Sequence, residues 1–303
     1  MLRPVPTALS EHEDLWDATS PYGYGGPFGD HICFGLLWEG LLQWMEARNV
    51  VSYFGRLPLG LSIDQPLSPR LEAVTVAENV VVDLTRPADD QWRHYEHKVR
   101  KNVAKARRAG LAATIRPRFT DVDEFAGLYA DTMERRNADD FYRFRPEFFA
   151  RLVSSLGGTC LVAEVRDPTG ALVSAELVLA SERRLYSYLG GTRREAFPLA
   201  PNDLLKHTVI EYGRTAGFTE FILGGGRRPG DGIFAYKRSF DRDGVVPFRV
   251  AHVVADSAAY LSLTEAHAAR VGDQARVPSS FFPAYRAPLG EPASTANRPV
   301  VEG

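Results

Sequence analysis

The order of helix and strand patterns in the second half of the chain constrains its fold most. From residue 112 to 254, apolar periodicity predicts a strand, two helices, three strands, a helix, a strand, a short helix and a last strand. The turn DPTG at 167–170 makes the second and third strands a hairpin. We therefore expect a mixed α/β (α+β) fold. The predicted strands cover 112–118, 159–167, 171–180, 184–190, 219–223 and 245–254, and the helices 121–136, 146–155, 202–216 and 232–239.

The remainder of the chain predicts a second mixed α/β domain. A length of 303 residues exceeds the usual size of one domain. The Gly-, Pro- and Tyr-rich run at 20–27 predicts a loop. A tail with few large apolar residues begins near residue 287, and we expect it to be disordered. Helices are predicted at 35–48 and 257–269, and strands at 50–54 and 74–84.

One continuous amphipathic helix is predicted from Pro87 to Gly110. Its apolar side chains recur at spacings of three and four, and Gly110 suits the left-handed position that closes a helix. The opposite face is cationic, and the stretch 98–118 contains no acidic residue. That face is either a solvated surface or a phosphate-binding surface. Its side chains are those of His94, His97, Lys98, Lys101, Lys105 and Arg108.

Composition excludes several classes of protein. A net charge of −2 and a pI near 6.4 argue against a dedicated nucleic-acid-binding domain, so any RNA contact must be local. Cys33 and Cys160 are too few for a disulfide framework or a zinc site, and we expect both to be buried. His207 and Glu211 share a helix face, but without further ligands we expect no metal. The sequence contains no predicted membrane span or signal peptide, which predicts a cytoplasmic protein without membrane contacts.

Seven short segments resemble the FemABX aminoacyltransferases and their relatives of the acetyltransferase (GNAT) superfamily, in the order that the family has them. The order of predicted elements from residue 112 also matches the GNAT fold. The segments are SPYGYGGP at 20–27, KVRKNVAKARRAG at 98–110, MERRN at 133–137, YLGG at 188–191, PNDLL at 201–205, LGGG at 223–226 and FAYKRSF at 234–240.

The resemblance implies two tandem GNAT-like domains, with mixed sheets flanked by helices and a substrate cleft between the domains. The first would comprise residues 1–111 and 255–303, and the second residues 112–254. An acyl donor would meet an amine in the cleft. The donor is an aminoacyl-tRNA in FemABX members, whereas other relatives are N-acyltransferases, which leaves acyl-CoA as an alternative.

The place where GNAT enzymes bind the pyrophosphate of acetyl-CoA differs from the usual pattern. That pattern is a glycine turn at a helix start, where backbone N–H groups hold the anion. Here the sequence is YLGGTRREAFPLAPN at 188–202, in which the glycines come early and two prolines precede the helix. A wholly cationic helix face then favours a donor with spread-out phosphates, such as a tRNA acceptor stem. We therefore expect charged tRNA as co-substrate and no resident cofactor.

The resemblance also implies site residues. Lys237, in the block FAYKRSF, is the predicted catalytic residue, whose ammonium would stabilise an oxyanion or the terminal phosphate and ribose of the donor. The glycine loop 224–232 lies between a strand and a helix, a setting in which backbone amides hold anions. The predicted substrate-binding residues are Tyr22, Tyr24, Arg136, Tyr142, Tyr188, Asn202 and Gly225, and the predicted RNA-binding residues are Lys98, Lys101, Lys105 and Arg108.

Three hypotheses about function stay open at this point. The first is transfer of an amino acid from charged tRNA to an amine of a peptide, a peptidoglycan precursor or a small-molecule natural product. The second is acyl-CoA-dependent N-acyl transfer on the same fold, and the third is a non-catalytic RNA-binding module. The sequence identifies neither the amino acid, nor the acceptor, nor the oligomeric state.

Overall fold

The computed structural model divides the chain into two compact units. Unit 1 comprises Met1–Glu78 and Val246–Gly303, and unit 2 comprises Asn79–Val245. Unit 1 is therefore discontinuous in sequence. The structure describes residues 1–6, 8–9, 14–26, 34–60, 71–117, 121–271 and 281–287.

Unit 1 is built on a small mixed sheet. Its strand order is β1-β2-β3-β10, with β2 and β3 parallel and the other two pairs antiparallel. Helix α1 packs on β3, and the side chains of Trp38 and Met45 are buried between them. The elements are β1 (Leu2–Pro4), β2 (Trp16–Thr19), α1 (Phe34–Glu46), β3 (Val50–Arg56), β10 (Val245–Val254) and α8 (Ser257–Val271).

The last described residues complete unit 1. The Tyr285 side chain is 1% exposed, and its hydroxyl lies 2.8 Å from the Ser52 hydroxyl on β3. Its ring also contacts that of Tyr260 on α8. Residues 288–303, which carry most of the tail predicted to be disordered, lie outside the described residues.

Unit 2 is a six-stranded sheet with helices on both faces. Its strand order is β4-β9-β8-β7-β6-β5, in which β8 and β9 are parallel and all other pairs are antiparallel. The elements are the last five residues of β4 (Leu71–Asp83), whose earlier residues belong to unit 1, and α2 (Ala88–His94), α3 (His97–Arg108), β5 (Ala112–Arg116), α4 (Val122–Arg135), α5 (Pro146–Leu156), β6 (Cys160–Arg166), β7 (Leu172–Ala180), β8 (Arg184–Thr192), α6 (Pro201–Thr215), β9 (Glu220–Gly224) and α7 (Gly232–Arg238).

The sheet of unit 2 is buried on both faces, which gives the unit two apolar cores. Val103 of α3 and Ile210 of α6 belong to one core, while Phe125 of α4 and Phe149 of α5 belong to the other. Strand β7 is buried from Leu172 to Val178, so it reads as an almost continuous apolar run. The predicted hairpin between β6 and β7 is confirmed, and Cys160 is a free, buried thiol as expected. Cys33 lies outside the described residues.

The single helix predicted from Pro87 to Gly110 is wrong, because two helices, α2 and α3, occupy this range. The backbone is extended at Tyr95, and the N–H of Glu96 donates to the carbonyl of Ser239, 2.9 Å away. The guanidinium of Arg100 caps the freed carbonyl of Tyr95. Partners distant in sequence therefore satisfy the interrupted backbone. The closing position was predicted correctly, since Gly110 has φ +78°.

The boundaries of the two units differ from those of the predicted domains. Helices α2 and α3 belong to unit 2, whereas the prediction assigned residues up to 111 to the first domain. The reason is the apolar stripe of α3, where Val99, Val103 and Ala106 are buried in a core of unit 2. Among the helices that the structure describes, none is long and apolar enough to cross a membrane.

Candidate active site

A polar cavity lies within unit 2, beside the central strands of its sheet. Its volume is about 190 Å³, equal to about six water molecules at their liquid volume. Pockets for drug-sized ligands occupy roughly 300–1,000 Å³, so the cavity suits a smaller group. The lining residues are Thr132, Met133, Arg135, Arg136, Ala175, Glu176, Gly190, Gly191, Thr192, Phe197, Asn202, Leu205, Lys206 and Tyr236.

Strand β8, which contributes Gly190, Gly191 and Thr192 to the cavity, pairs irregularly with both of its neighbours. The parallel register between β8 and β9 runs from Arg184 to Tyr186 of β8 and ends there. On its other side β8 contains a bulge, because two residues between Ser187 and Gly190 lie opposite one residue of β7. Bulges redirect side chains and are frequent beside active sites.

A buried ion pair forms one wall of the cavity. The ammonium of Lys206 lies 2.5 and 2.7 Å from the two carboxylate oxygens of Glu176, and 2.8 Å from the hydroxyl of Ser187. Ser187 in turn donates to Glu176. Lys206 and Glu176 are only 8% and 7% exposed. Removing one partner of such a buried pair typically costs about 3–5 kcal/mol. The lysine uses all three of its N–H groups in these bonds. Its positive charge is balanced by the negative charge of Glu176, so the pair contributes no net charge to the cavity.

Tyr236 of α7 brings an unsatisfied hydroxyl to the same cavity. The oxygen is buried, and it has no hydrogen-bond partner among the described residues. Burial raises the pKa of Tyr236 well above its ordinary value, and the charges of Asp203 and Glu176 act in the same direction. The hydroxyl therefore keeps its proton. A buried donor without a partner costs about 1–3 kcal/mol, which a ligand in the cavity would recover.

Two arginines at the end of helix α4 face the cavity. Arg135 stacks over the ring of Phe197, 5.0 Å from its centroid, and donates to the hydroxyl of Thr132 at 3.3 Å. Arg136, the C-cap residue, is exposed. Neither arginine forms an ion pair with any residue in the part of the chain that the structure describes. The prediction that Arg136 belongs to a ligand site is thus consistent with its position.

Asn202 is held in a fixed orientation at the start of α6. Its side-chain oxygen accepts hydrogen bonds from Ser174 at 2.8 Å and from Thr192 at 2.6 Å. The amide nitrogen is left as a donor, and Asn202 lines the cavity. Next to Thr192, a Cβ atom on Gly191 would lie 2.6 Å from the carbonyl oxygen of Leu128, so the close approach of β8 and α4 requires glycine.

Lys237, the predicted catalytic residue, lies next to Tyr236 but does not line the cavity. Its ammonium donates to the carbonyl of Gly225 at 2.7 Å. Burial, together with the nearby ammonium of Lys206, lowers its pKa to about 8, against the opposing effects of Glu176 and Asp231. Lys237 therefore exchanges its proton near neutral pH. The catalytic role of Lys237 and the substrate-binding role of Gly225 stay predictions.

The glycine loop 224–232 does bind an anion, but the anion belongs to the chain. The carboxylate of Asp231 accepts hydrogen bonds from the backbone N–H groups of Arg227 at 2.7 Å, Arg228 at 3.1 Å and Phe234 at 2.8 Å. These bonds hold the pKa of Asp231 below its ordinary value. Asp231 also caps helix α7. Two amides of this loop, those of Arg227 and Arg228, are thus already engaged by the chain itself.

The cationic face of α3 is exposed, and one predicted member does not belong to it. Among the described residues, none of the four predicted RNA-binding side chains takes part in an ion pair. The ring of His94 instead bonds the fully buried carboxylate of Asp241, 2.8 Å away, because the chain turns between α2 and α3. The exposed cations are Lys98, Lys101, Lys105 and Arg108.

His207, which the sequence placed beside Glu211, is part of a structural cluster. Its ring lies between those of Trp92 and Tyr95 and accepts a bond from Arg107 at 2.9 Å. Burial lowers the pKa of His207 to about 4, so the ring is neutral. Within the described residues, no group of three His, Cys, Asp or Glu side chains is arranged to hold a metal ion.

Comparison with known proteins places this site in a known fold. Residues 94–238, which lie within unit 2, match the model of the acetyltransferase (GNAT) domain family. Unit 2 has the fold of a GNAT domain. The match and the fold together identify the protein as an acyltransferase. No protein of curated function matches the sequence.

Several solved structures match this chain over a longer range than the GNAT family model does. FemX is 13% identical, covers 86% of this chain and 85% of its own, and has a TM-score of 0.60. L-PGS from Bacillus licheniformis is 14% identical over 80% of this chain and 78% of its own, with a TM-score of 0.58. The C-terminal domain of a putative lysylphosphatidylglycerol synthetase from Agrobacterium fabrum is 17% identical over 83% and 80%, with a TM-score of 0.55. The predicted fold class and the resemblance to FemABX proteins are therefore confirmed.

The structure does not bring all predicted site residues to the cavity of the GNAT domain. Tyr188 is 37% exposed, and the carbonyl of Tyr142 accepts a bond from Tyr129 at 2.9 Å; neither residue lines the cavity. Tyr22 and Tyr24 lie in unit 1. The Tyr22 ring lies 5.5 Å from the guanidinium of Arg56, and that of Tyr24 packs edge-on against Phe248. Their substrate-binding roles stay predictions.

Sequence reasoning missed the residues that define the cavity wall. Glu176 is an acidic residue in the middle of an apolar strand, and Lys206 lies on the buried face of a helix. A charge in an apolar pattern is the signal that could have identified each of them. Tyr236 was inside the quoted block FAYKRSF, where the neighbouring lysine alone was chosen.

Proposed function

We propose that the protein is an aminoacyl-tRNA-dependent aminoacyltransferase that places one amino acid on an amine. The amine nitrogen attacks the ester carbonyl of the charged tRNA, so that a C–N bond forms and the C–O bond to the ribose breaks. The nitrogen loses a proton, and the ribose oxygen gains one. An aminoacyl ester is already activated, so positioning, oxyanion stabilisation and proton transfer are the main contributions of the enzyme.

The exposed cationic face of α3 carries this proposal. Lys98, Lys101, Lys105 and Arg108 form a continuous exposed row, and none of them forms an ion pair with a described carboxylate. Lys and Arg side chains in such a row bind phosphates without sequence preference, which explains how a protein of net charge −2 can hold RNA. The sequence resemblance to FemABX proteins and the fold shared with FemX point to the same donor.

The start of helix α6 gives further support. In GNAT enzymes that use acetyl-CoA, this helix start holds the pyrophosphate. Here Pro201 has no N–H group, and Asp203 places a buried carboxylate in the first turn. Both features disfavour a bound anion at this helix start. The cavity of about 190 Å³ has room for an aminoacyl or amine group.

Lys237 and Tyr236 are the candidates for proton transfer. The lysine has a pKa of about 8, so it can donate a proton to the departing ribose oxygen near neutral pH. The tyrosine hydroxyl keeps its proton and lacks a partner among the described residues, so it can donate a hydrogen bond to an oxyanion. Arg136 and Asn202 would hold the acceptor in the cavity.

An acyl-CoA donor is the second candidate, because the family model that matches unit 2 is that of an acetyltransferase domain. The two donors differ in a direct binding experiment. We would titrate the purified protein with an aminoacylated acceptor-stem RNA and, separately, with acetyl-CoA, over a range of salt concentrations. We expect salt-sensitive binding of the RNA and negligible binding of acetyl-CoA.

The variant Lys101→Ala plus Lys105→Ala tests the surface itself. Loss of two phosphate contacts should lower the slope of log K against log salt by about 2. The matched control is Arg151→Ala plus Arg183→Ala, which removes two exposed cations elsewhere in unit 2 and should bind RNA like the wild type. Tight acetyl-CoA binding without any response to RNA would reject the proposal. RNA affinity and transfer that both survive Lys237→Ala would contradict the assigned role of that lysine.

A further inference from the structure

The charged groups that line the cavity do not balance. Lys206 directs its N–H groups at Glu176 and Ser187, so the ion pair is neutral as a unit. The guanidinium groups of Arg135 and Arg136 then remain, and neither has a carboxylate partner in the described part of the chain. A cavity with two uncompensated guanidinium groups selects a ligand that carries an anionic group.

The uncharged polar groups of the lining are mainly donors. The Tyr236 hydroxyl is buried and has no partner among the described residues. The oxygen of the Asn202 amide is engaged by Ser174 and Thr192, which leaves its nitrogen as a donor. The Thr132 hydroxyl already donates to the carbonyl of Leu128, 2.9 Å away. Donors of this kind match the oxygens of a carboxylate.

Glu176 supplies a hydrogen-bond acceptor at a second pole of the cavity. Among the described residues, one of its carboxylate oxygens accepts from Lys206 alone, and such an oxygen has room for a further donor. Glu176 and its apolar neighbours Ala175 and Leu205 line the cavity together. An ammonium group on the ligand would find an acceptor here. A phosphate dianion offers no N–H donor and would leave this acceptor without a ligand partner.

We propose that the cavity binds a zwitterionic amino-carboxylate, such as a free amino acid or the amino-carboxylate end of a larger molecule. The guanidinium groups and the Asn202 amide hold its carboxylate, and Glu176 accepts a hydrogen bond from its amino group, which attacks as the neutral amine. Because the ester bond consumes the α-carboxylate of an aminoacyl group, this ligand is the acceptor and not the donor; that assignment rests on the proposed function.

Binding can be measured by calorimetry on the full chain without any RNA. The probes are the common L-amino acids, the carboxamide and the N-acetyl derivative of each one that binds, and inorganic phosphate. We expect at least one free amino acid to bind. Loss of the carboxylate should weaken that binding by at least about tenfold, since it leaves the guanidinium groups without an anionic partner. Acetylation of the amino group should have a similar effect, since it removes the N–H donors that match the acceptor on Glu176.

Variants connect the binding to the cavity. Arg136→Gln and Tyr236→Phe should each lower the affinity for the amino acid by about tenfold, because each substitution removes a hydrogen-bond donor while the side chain keeps much of its shape. Arg151→Gln is the matched control, as Arg151 is exposed on α5 of the same unit and does not line the cavity. It should bind like the wild type. Thermal unfolding of each variant verifies that it is folded.

Three outcomes would overturn the inference: no amino acid binds, phosphate binds as well as the best amino acid, or the variants bind unchanged. The result is separate from the test of the donor. RNA binding without amino-acid binding would reject the zwitterion and retain the proposed function. If the protein binds an amino acid through Arg136 but does not bind RNA, the amino-acid site is retained and the tRNA donor is rejected.

Discussion

Lys237 connects the stability of the GNAT domain to pH. Its pKa is about 8 in the folded domain and 10.5 ordinarily. Between these values the unfolded chain binds more protons than the folded chain, so this lysine makes the free energy of unfolding rise with pH; below about 8 it has no such effect. We expect Lys237→Met to remove this rise, on the order of 1–2 kcal/mol after allowance for solvent screening. Urea unfolding of the wild type and the variant at several pH values from 7 to about 10 measures the free energy of unfolding of each and thus this difference.

The control for that experiment is Lys105→Met. Lys105 is an exposed cation on α3, so its loss should leave the slope of stability against pH as it is in the wild type. Parallel slopes for the wild type and Lys237→Met would show that the lysine keeps an ordinary pKa in the folded domain.

Single residues also show how far the sequence reveals the site. Arg136 and Asn202 were predicted from short motifs, and both line the cavity. Glu176 and Lys206 were not predicted, because their meaning arises only when strand β7 and helix α6 bring them within 2.7 Å. Asp231 was overlooked in a loop whose glycines drew attention, although it is this carboxylate that organises the loop.

At the scale of elements, the contact between β8 and α4 is the most sensitive to substitution. A Cβ atom on Gly191 would lie 2.6 Å from the backbone oxygen of Leu128, which cannot move away alone. We therefore expect Gly191→Ala to reduce the free energy of unfolding by about 2–3 kcal/mol through overpacking. Thermal or urea unfolding of the variant measures this change.

Gly127→Ala is the matched control within α4. Nothing lies within 4 Å of a Cβ atom at this exposed helical position, so alanine should stabilise the helix by about 0.5–1 kcal/mol. Equal effects of the two substitutions would mean that β8 and α4 are not in close contact.

Most elements could be predicted because their apolar periodicity is local. The helix predicted at 121–136 is found at Val122–Arg135, and the strand predicted at 245–254 is found at Val245–Val254. The break between α2 and α3 could not be predicted, since it depends on the carbonyl of Ser239, more than a hundred residues away in sequence. Strands β1 and β2 were also missed, because each has only three or four residues.

At the scale of the molecule, unit 1 depends on a short segment far along the chain. Tyr285 is 1% exposed and lies 2.8 Å from the Ser52 hydroxyl. We expect Tyr285→Ala to destabilise unit 1 by about 3–5 kcal/mol, the usual cost of removing a buried aromatic ring. Hydrogen exchange resolved along the sequence should show faster exchange in β3 and α8.

Leu261→Ala serves as the control for unit 1. Leu261 lies on α8 and is 61% exposed, so its truncation should change stability by less than about 0.5 kcal/mol. Unchanged exchange in β3 after Tyr285→Ala would contradict the role given to the tyrosine.

The discontinuity of unit 1 sets an order of events during synthesis on the ribosome. Strand β3 ends at Arg56, and its antiparallel partner β10 begins at Val245. At roughly 5–20 residues per second, about 10–40 s pass before β10 is made. Every residue of the GNAT domain is synthesised in that interval. Unit 2 can therefore fold first, while unit 1 still has an open sheet edge that a chaperone can recognise.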